Sequence, residues 1–254
     1  MIGVPEGLLS VVAIVVILVL VRGYGRVHLI RQINVEGIDD EEAVKAYDRI
    51  SRTPQFSVLR RNFVRELRRH QPSGTLADIG CGPGYLLQLI AKGIPQLGLI
   101  GVDISEKMLR KAATNLSILG PDRKVQFKQG DIEKLPFDDD SLDFIVSTLS
   151  LHHWSHPKPA FDEIYRVLKY DGQFLLFDLR RDPRRWFFWL IRFAQKVMLR
   201  IFGAEAITRL NEPTGSVLSS YTPSEVEALL TETQFTRWKL KDGAGWVFLW
   251  GVKV

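Results

Sequence analysis

The chain has 254 residues, 46% hydrophobic and 25% charged, with a net charge of +5. That is enough apolar material for one α/β-sized core and an appendage, and because basic and acidic residues are mixed along most of the chain, no nucleic-acid partner is expected. The single cysteine, Cys81, excludes an internal disulfide.

Residues 8–21 are apolar apart from Ser10. As a helix they span about 21 Å, and the stretch from Ile2 reaches roughly the ~30 Å of a bilayer's hydrocarbon core. Arg22, Arg26 and Arg31 follow, whereas no Lys or Arg precedes. This asymmetry predicts a single-span membrane anchor over residues 1–22, with the bulk of the chain in the cytoplasm. The basic start and small-residue cleavage site of a signal peptide are missing.

Residues 23–72 read as a linker followed by helices. Asp39 and Asp40 precede a helical pattern over 41–50, with acids in the first turn as the helix dipole prefers. A second helix is predicted over 55–70 and carries Arg60, Arg61, Arg65, Arg68 and Arg69, which read as a solvated face. Gln71-Pro72-Ser73-Gly74 then punctuates the chain, and a domain is predicted over 73–254.

An apolar run over 75–79 reads as a buried strand and breaks at Gly80, Gly82 and Gly84, where a helical pattern begins at once. A sharp strand-to-helix turn favours glycine, and a ligand lying on it needs close backbone and free N–H groups at the helix start. The turn therefore predicts a nucleotide-type cradle. The dinucleotide fingerprint would want glycine at position 85, which is Tyr85. Cys81 fits the turn as a small side chain in a crowded bend. The next run, 97–102, ends at Asp103, where a carboxylate at a strand tip meets ribose hydroxyls; a nicotinamide dinucleotide would ask for the same acid.

Residues 125–128 read as a third strand, with Gly130-Asp131-Ile132 after it. The acids Asp138, Asp139 and Asp140 read as a solvated loop, since three consecutive side chains cannot face one ion, and no metal is expected. A fourth strand over 142–149 leads into Ser150-Leu151-His152-His153-Trp154. Histidine titrates near neutrality, so His153 or its neighbour His152 is a candidate general base. A helix over 159–168, a turn over 169–172 and a fifth strand over 173–179 follow. The stretch 184–202 then brings Trp186, Phe187, Phe188, Trp189 and Phe193 together with Arg185, Arg192, Lys196 and Arg200. Their spacing predicts a helix with a basic stripe, of the interfacial type. Residues 203–220 read as a polar loop. Thr222-Pro223-Ser224-Glu225 opens a last helix, and 235–241 with 246–252 alternate as a hairpin around Asp242-Gly243.

The glycine turn with Asp78 ahead of it resembles motif I of the S-adenosylmethionine-dependent methyltransferases. The segment 160–177, with Asp103, Asp131 and the His-His pair in order, resembles the type 11 methyltransferase family over about residues 47–178. The resemblance implies an α/β, three-layer Rossmann-like sandwich with a mostly parallel seven-stranded sheet and a terminal antiparallel hairpin. It implies S-adenosylmethionine as cofactor, contacted by Asp78, Gly80, Cys81, Gly82, Gly84, Asp103, Ile104, Asp131, Ile132 and Ser147. Asp78 and the glycines would hold the methionine part, Asp103 the ribose, and Asp131 with Ile132 the adenine. Absence of an Asn/Asp-Pro-Pro-aromatic signature after the fourth strand argues against nucleobase methylation. A lid at about 181–220 and the anchor suggest a hydrophobic small-molecule or lipid acceptor at a membrane. An NAD(P)-dependent oxidoreductase and a non-catalytic S-adenosylmethionine-binding membrane scaffold remain as alternatives.

Overall fold

The computed structural model describes residues 25–33, 40–120, 125–202 and 214–254. The predicted anchor over 1–22 lies outside them. No helix among the described residues is long and apolar enough to cross a membrane.

Two N-terminal helices, α1 (Glu41–Ser51) and α2 (Pro54–Arg69), precede the first strand, β1 (Thr75–Ile79). The Asp40 side chain caps α1 by accepting the Glu42 N–H. The chain then alternates through α3 (Tyr85–Gly93), β2 (Gly98–Asp103), α4 (Glu106–Leu116), β3 (Val125–Gln129), β4 (Leu142–Thr148), α5 (Pro157–Val167) and β5 (Leu168–Leu179). Helices α6 (Arg185–Phe202), α7 (Thr214–Ser219) and α8 (Pro223–Thr231) lead to β6 (Arg237–Asp242) and β7 (Trp246–Val252).

The strands form one seven-stranded sheet in the order β3-β2-β1-β4-β5-β7-β6, in which only β7 runs antiparallel to its neighbours. Alternate side chains feed two cores. Ala77, Ile145 and Phe174 pack on one face with Phe161 and Ile164 of α5, and Leu76, Phe144 and Leu175 pack on the other with Phe63, Leu67, Leu87 and Ile90 of α2 and α3. Burial on both faces is why the central strands read as near-continuous apolar runs. Strand order reverses between β1 and β4, and the crevice outside their carboxyl ends is the ligand position of such sheets.

Two stretches differ from the sequence reading. The predicted turn over 169–172 lies inside β5. Asp171 takes φ +62 and the register with β4 jumps from Leu142↔Leu168 to Phe144↔Gln173, so the turn residues make an irregularity within the strand. Within the predicted loop 203–220, residues 214–219 form α7; Ser216 and Ser219 are buried there, and the Ser219 hydroxyl donates to the Gly215 and Ser216 carbonyls, so tertiary packing overrides their weak helix propensity. The capping box at α8 forms as expected, with Thr222 Oγ1 accepting the Glu225 N–H and Glu225 Oε2 accepting the Thr222 N–H at 2.8 Å.

Candidate active site

The glycine turn hangs on β2: the N–H groups of Gly80 and Cys81 both donate to the Val102 carbonyl, at 2.8 and 2.9 Å. Gly84, at φ +80, starts α3 against α4, where a Cβ would lie 2.6 Å from Leu116 Cδ1. Gly82, at φ +50, has no such close neighbour; a Cβ there would meet only the Tyr47 ring, at 3.5 Å, and would enter the space the turn encloses.

That space is a cavity of about 280 Å³. It is lined by Gly80, Gly82, Asp103, Ile104, Asp131, Ile132 and His153 of the expected residues, together with Tyr47, Met108, Leu149 and Ser150. Asp103 Oδ2 accepts the Gly82 N–H and Oδ1 the Ser105 N–H, each at 2.9 Å, which locks the carboxylate between turn and helix. Burial pushes its carboxyl above the ordinary range, against the backbone N–H groups of Ser105, Gly82 and Ile104. Asp131 Oδ1 accepts the Glu133 N–H at 3.0 Å, fixing this acid in a local turn at the cavity's far end.

Four expected residues stand outside the lining. Asp78 is 1% exposed, on the face of β1 that carries Leu76, and its Oδ1 is buried with no hydrogen-bond partner. Burial, then the nearby Asp103, push its carboxyl well above the ordinary range. Cys81 packs in the core with its thiol pushed well up by burial. Gly84 serves helix packing, and Ser147 donates its hydroxyl to the Ile79 carbonyl at 2.6 Å, tying β4 to β1.

A second cavity, about 250 Å³, adjoins the first. Its walls are apolar: Ile50, Phe56 and Leu59 from the N-terminal helices, Leu179 from β5, and Phe187, Leu190 and Ile191 from α6. Tyr47, Leu149 and His153 line both cavities. Leu149 sits at φ +57, a conformation costing a leucine about 1–2 kcal/mol and concentrated at functional sites.

The polar residues in this wall are Tyr47, Gln55, His152, His153 and Ser216, and of these His152 is held by a buried acid. His152 is 2% exposed, as is Asp178. Asp178 Oδ1 lies 2.6 Å from His152 Nδ1, and its Oδ2 accepts the His152 backbone N–H at 2.9 Å. A buried carboxylate held on Nδ1 in this way orients the ring and stabilises an imidazolium form. Asp178 was passed over in the sequence, although its signal was an acid at the carboxyl end of the fifth strand. Tyr47 and Leu149 carry no such signal: one arrives by packing of α1, the other by a backbone twist.

Residues 77–176 match the family described as a methyltransferase domain. The chain is 37% identical over 107 residues to a biotin biosynthesis bifunctional protein of Teredinibacter turnerae, covering 40% of this chain and 19% of that protein. It is 31% identical over 159 residues to a demethylmenaquinone methyltransferase of Chlamydia felis, covering 61% of this chain and 66% of that one. The chain spans less than half the length of the first curated relatives it matches. A solved SAM-dependent methyltransferase from Aquifex aeolicus superposes with a TM-score of 0.57 at 18% identity, over 75% of this chain and 88% of that one, and so shares the fold.

Proposed function

We propose that this chain, whose residues 77–176 are a methyltransferase domain of that family, transfers a methyl group from S-adenosylmethionine to a hydrophobic acceptor. The observation that carries the reading is the junction of a polar, acid-bearing cavity with an apolar one across Tyr47, Leu149 and His153. The polar cavity fits the cofactor: a glycine cradle that a Cβ would fill, a carboxylate at a strand tip, and Asp131 flanked by Ile132.

S-adenosylmethionine supplies a methyl group on a sulfonium that is already activated for displacement. The chain's own task is to bind, align and exclude water. Asp103 offers its carboxylate to the ribose hydroxyls, Asp131 and Ile132 take the adenine, and the backbone at Gly80 and Gly82 takes the amino-acid end. On the acceptor side, the tautomer that suits Asp178 puts the His152 proton on Nδ1 and leaves Nε2 as the basic nitrogen. Nε2 is buried, so proton removal from an acceptor O–H, N–H or acidic C–H by His152 requires that nitrogen to be uncovered as the acceptor binds, and the buried Asp178 then stabilises the imidazolium formed. His153, first in line from the sequence, lines both cavities and serves as a wall of the junction.

The apolar second cavity supports a ring or lipid as acceptor. A quinone precursor is one candidate, in keeping with a relative named as a demethylmenaquinone methyltransferase. The apolar run 8–21, followed by Arg22, Arg26 and Arg31, supports anchoring in a membrane with the domain on its cytoplasmic side. Helix α6, within the segment 181–220 read as a lid, closes the acceptor cavity.

The test uses methyl-tritiated S-adenosylmethionine, the full chain and a membrane lipid extract. Label is expected in the organic phase. His152→Gln is expected to lose about 10²–10⁴-fold in turnover while keeping cofactor affinity. Label confined to the aqueous phase contradicts a hydrophobic acceptor, and full turnover in His152→Gln contradicts the base.

A further inference from the structure

Helix α6 is apolar on two sides. Phe187 and Ile191 turn inward onto the second cavity. On the outer side Trp186, Trp189, Leu190 and Phe193 are 49%, 65%, 54% and 65% exposed. Spacings of three, four and seven from Trp186 put them on one face. Single exposed apolar residues are normal on a soluble surface, but four large ones grouped on one helix mark a contact site. Arg185, Arg192 and Lys196 are also exposed and follow one edge of this face, at spacings of seven and four; the Arg192 guanidinium lies over the Trp189 ring, 5.8 Å from its centre. An apolar stripe of Trp, Leu and Phe edged by cations is the composition of a helix that lies in a lipid interface.

An independent observation fixes where that face lies. The described chain begins at Gly25, and its start is fastened to the first turn of α6. The Arg185 N–H donates to the Gly25 carbonyl at 2.8 Å, the Val27 N–H donates to Pro183 at 3.0 Å, and Arg26 bridges Arg184. Arg26 also donates to the Asp182 carbonyl at 3.1 Å, and Arg181 Nε donates to the Leu29 carbonyl at 3.0 Å. The apolar run of the sequence ends at Val21, so at full extension its end stands at most about 14 Å from Gly25, which is itself hydrogen-bonded to the first turn of α6.

We propose that α6 docks on the lipid bilayer that residues 8–21 enter. Trp186, Trp189, Leu190 and Phe193 sit at the acyl-chain boundary, and Arg185, Arg192 and Lys196 lie at the level of anionic headgroups. This rests on the anchoring reading above. Leu190 belongs both to the docked face and to the cavity wall. A lipid acceptor therefore passes from the bilayer under α6 into the second cavity without crossing water.

The test is tryptophan quenching, which needs no turnover. Full-length wild type and a Trp186→Phe/Trp189→Phe variant are reconstituted in phosphatidylcholine–phosphatidylglycerol vesicles, with and without brominated phosphatidylcholine, and floated on a density gradient. Both proteins are expected to float. Wild-type emission is expected to be quenched by the brominated lipid, and most of the quenchable fraction is expected to be lost in the variant. Proteins that float but quench alike overturn the docking and leave the anchor standing. A chain that does not float overturns the anchor, and the docking with it.

Discussion

Two acids at the carboxyl ends of adjacent strands, Asp78 and Asp103, are both pushed up by burial, yet only Asp103 reaches the cavity. Asp103 is paid in backbone N–H bonds from Gly82 and Ser105; Asp78 Oδ1 has no partner and sits near the Asp103 charge. The sign of the consequence follows from linkage. Between the ordinary carboxylate range and the raised value of Asp78, the folded chain holds a proton that the unfolded chain has released. Its contribution is therefore fully present below the ordinary range and is lost as pH rises through the raised value. Asp78→Asn is expected to melt higher than wild type near neutral pH, with the difference closing on acidification. Thermal unfolding across that range checks it, and a variant that melts lower at neutral pH would show that the charged acid is held by its surroundings after all.

Among the elements, α1 bears most on the site, because it carries Tyr47 to the junction of the cavities. A hub at Asp48 holds it in place. Its Oδ1 accepts from Tyr85 Oη at 2.7 Å and Asn115 Nδ2 at 3.0 Å, and its Oδ2 pairs with Arg52 and Lys111 at 3.0 and 3.2 Å. Burial acts to raise this carboxyl, but the bonds from Tyr85, Asn115 and Lys111 outweigh it, so it titrates below the ordinary range. Its stabilisation is present above that range and fades as pH falls through its lowered value. Asp48→Ala is expected to cost on the order of 2–3 kcal/mol, since several hydrogen bonds to a charged, buried acceptor are lost together. Hydrogen exchange over 41–51 is expected to quicken, and unchanged exchange would remove the hub from the account. Tyr85, where a dinucleotide fingerprint would place glycine, is thus a structural tie to α1.

The same scale shows what could be read in advance. The central strands β1, β2, β4 and β5 were legible because burial on both faces leaves continuous apolar runs, β6 and β7 from their alternation around Asp242-Gly243, and α8 from its capping box. Helix α7 was not, because Thr-Gly-Ser-Val-Leu-Ser has no periodic apolar face and is held by its surroundings. Gly80, Gly82, Asp103, Asp131 and Ile132 were legible as cavity lining because strand-end position and residue chemistry coincide there. The apolar second cavity was not, because Tyr47, Phe56, Leu179 and Phe187 come from four separate elements and meet only in three dimensions.

At the scale of the whole molecule, the sheet's reversal between β1 and β4 creates the crevice. The N-terminal helices and α6 roof it, and the strand ends supply Asp103, His152's support from Asp178, and the twist at Leu149. One side of the crevice is polar and the other apolar, the division that the proposed transfer from a charged donor to a hydrophobic acceptor calls for. The central claim is that the polar side holds S-adenosylmethionine through Asp103. Calorimetric titration of the full chain in detergent with S-adenosylmethionine, S-adenosylhomocysteine and NADH tests it most directly. The account predicts saturable binding of the first two, none of NADH, and a roughly 10- to 100-fold loss in Asp103→Ala, the equivalent of about 1.5–3 kcal/mol for a charged hydrogen-bonding group. Binding of NADH in place of S-adenosylmethionine, or equal affinity in wild type and Asp103→Ala, would contradict it.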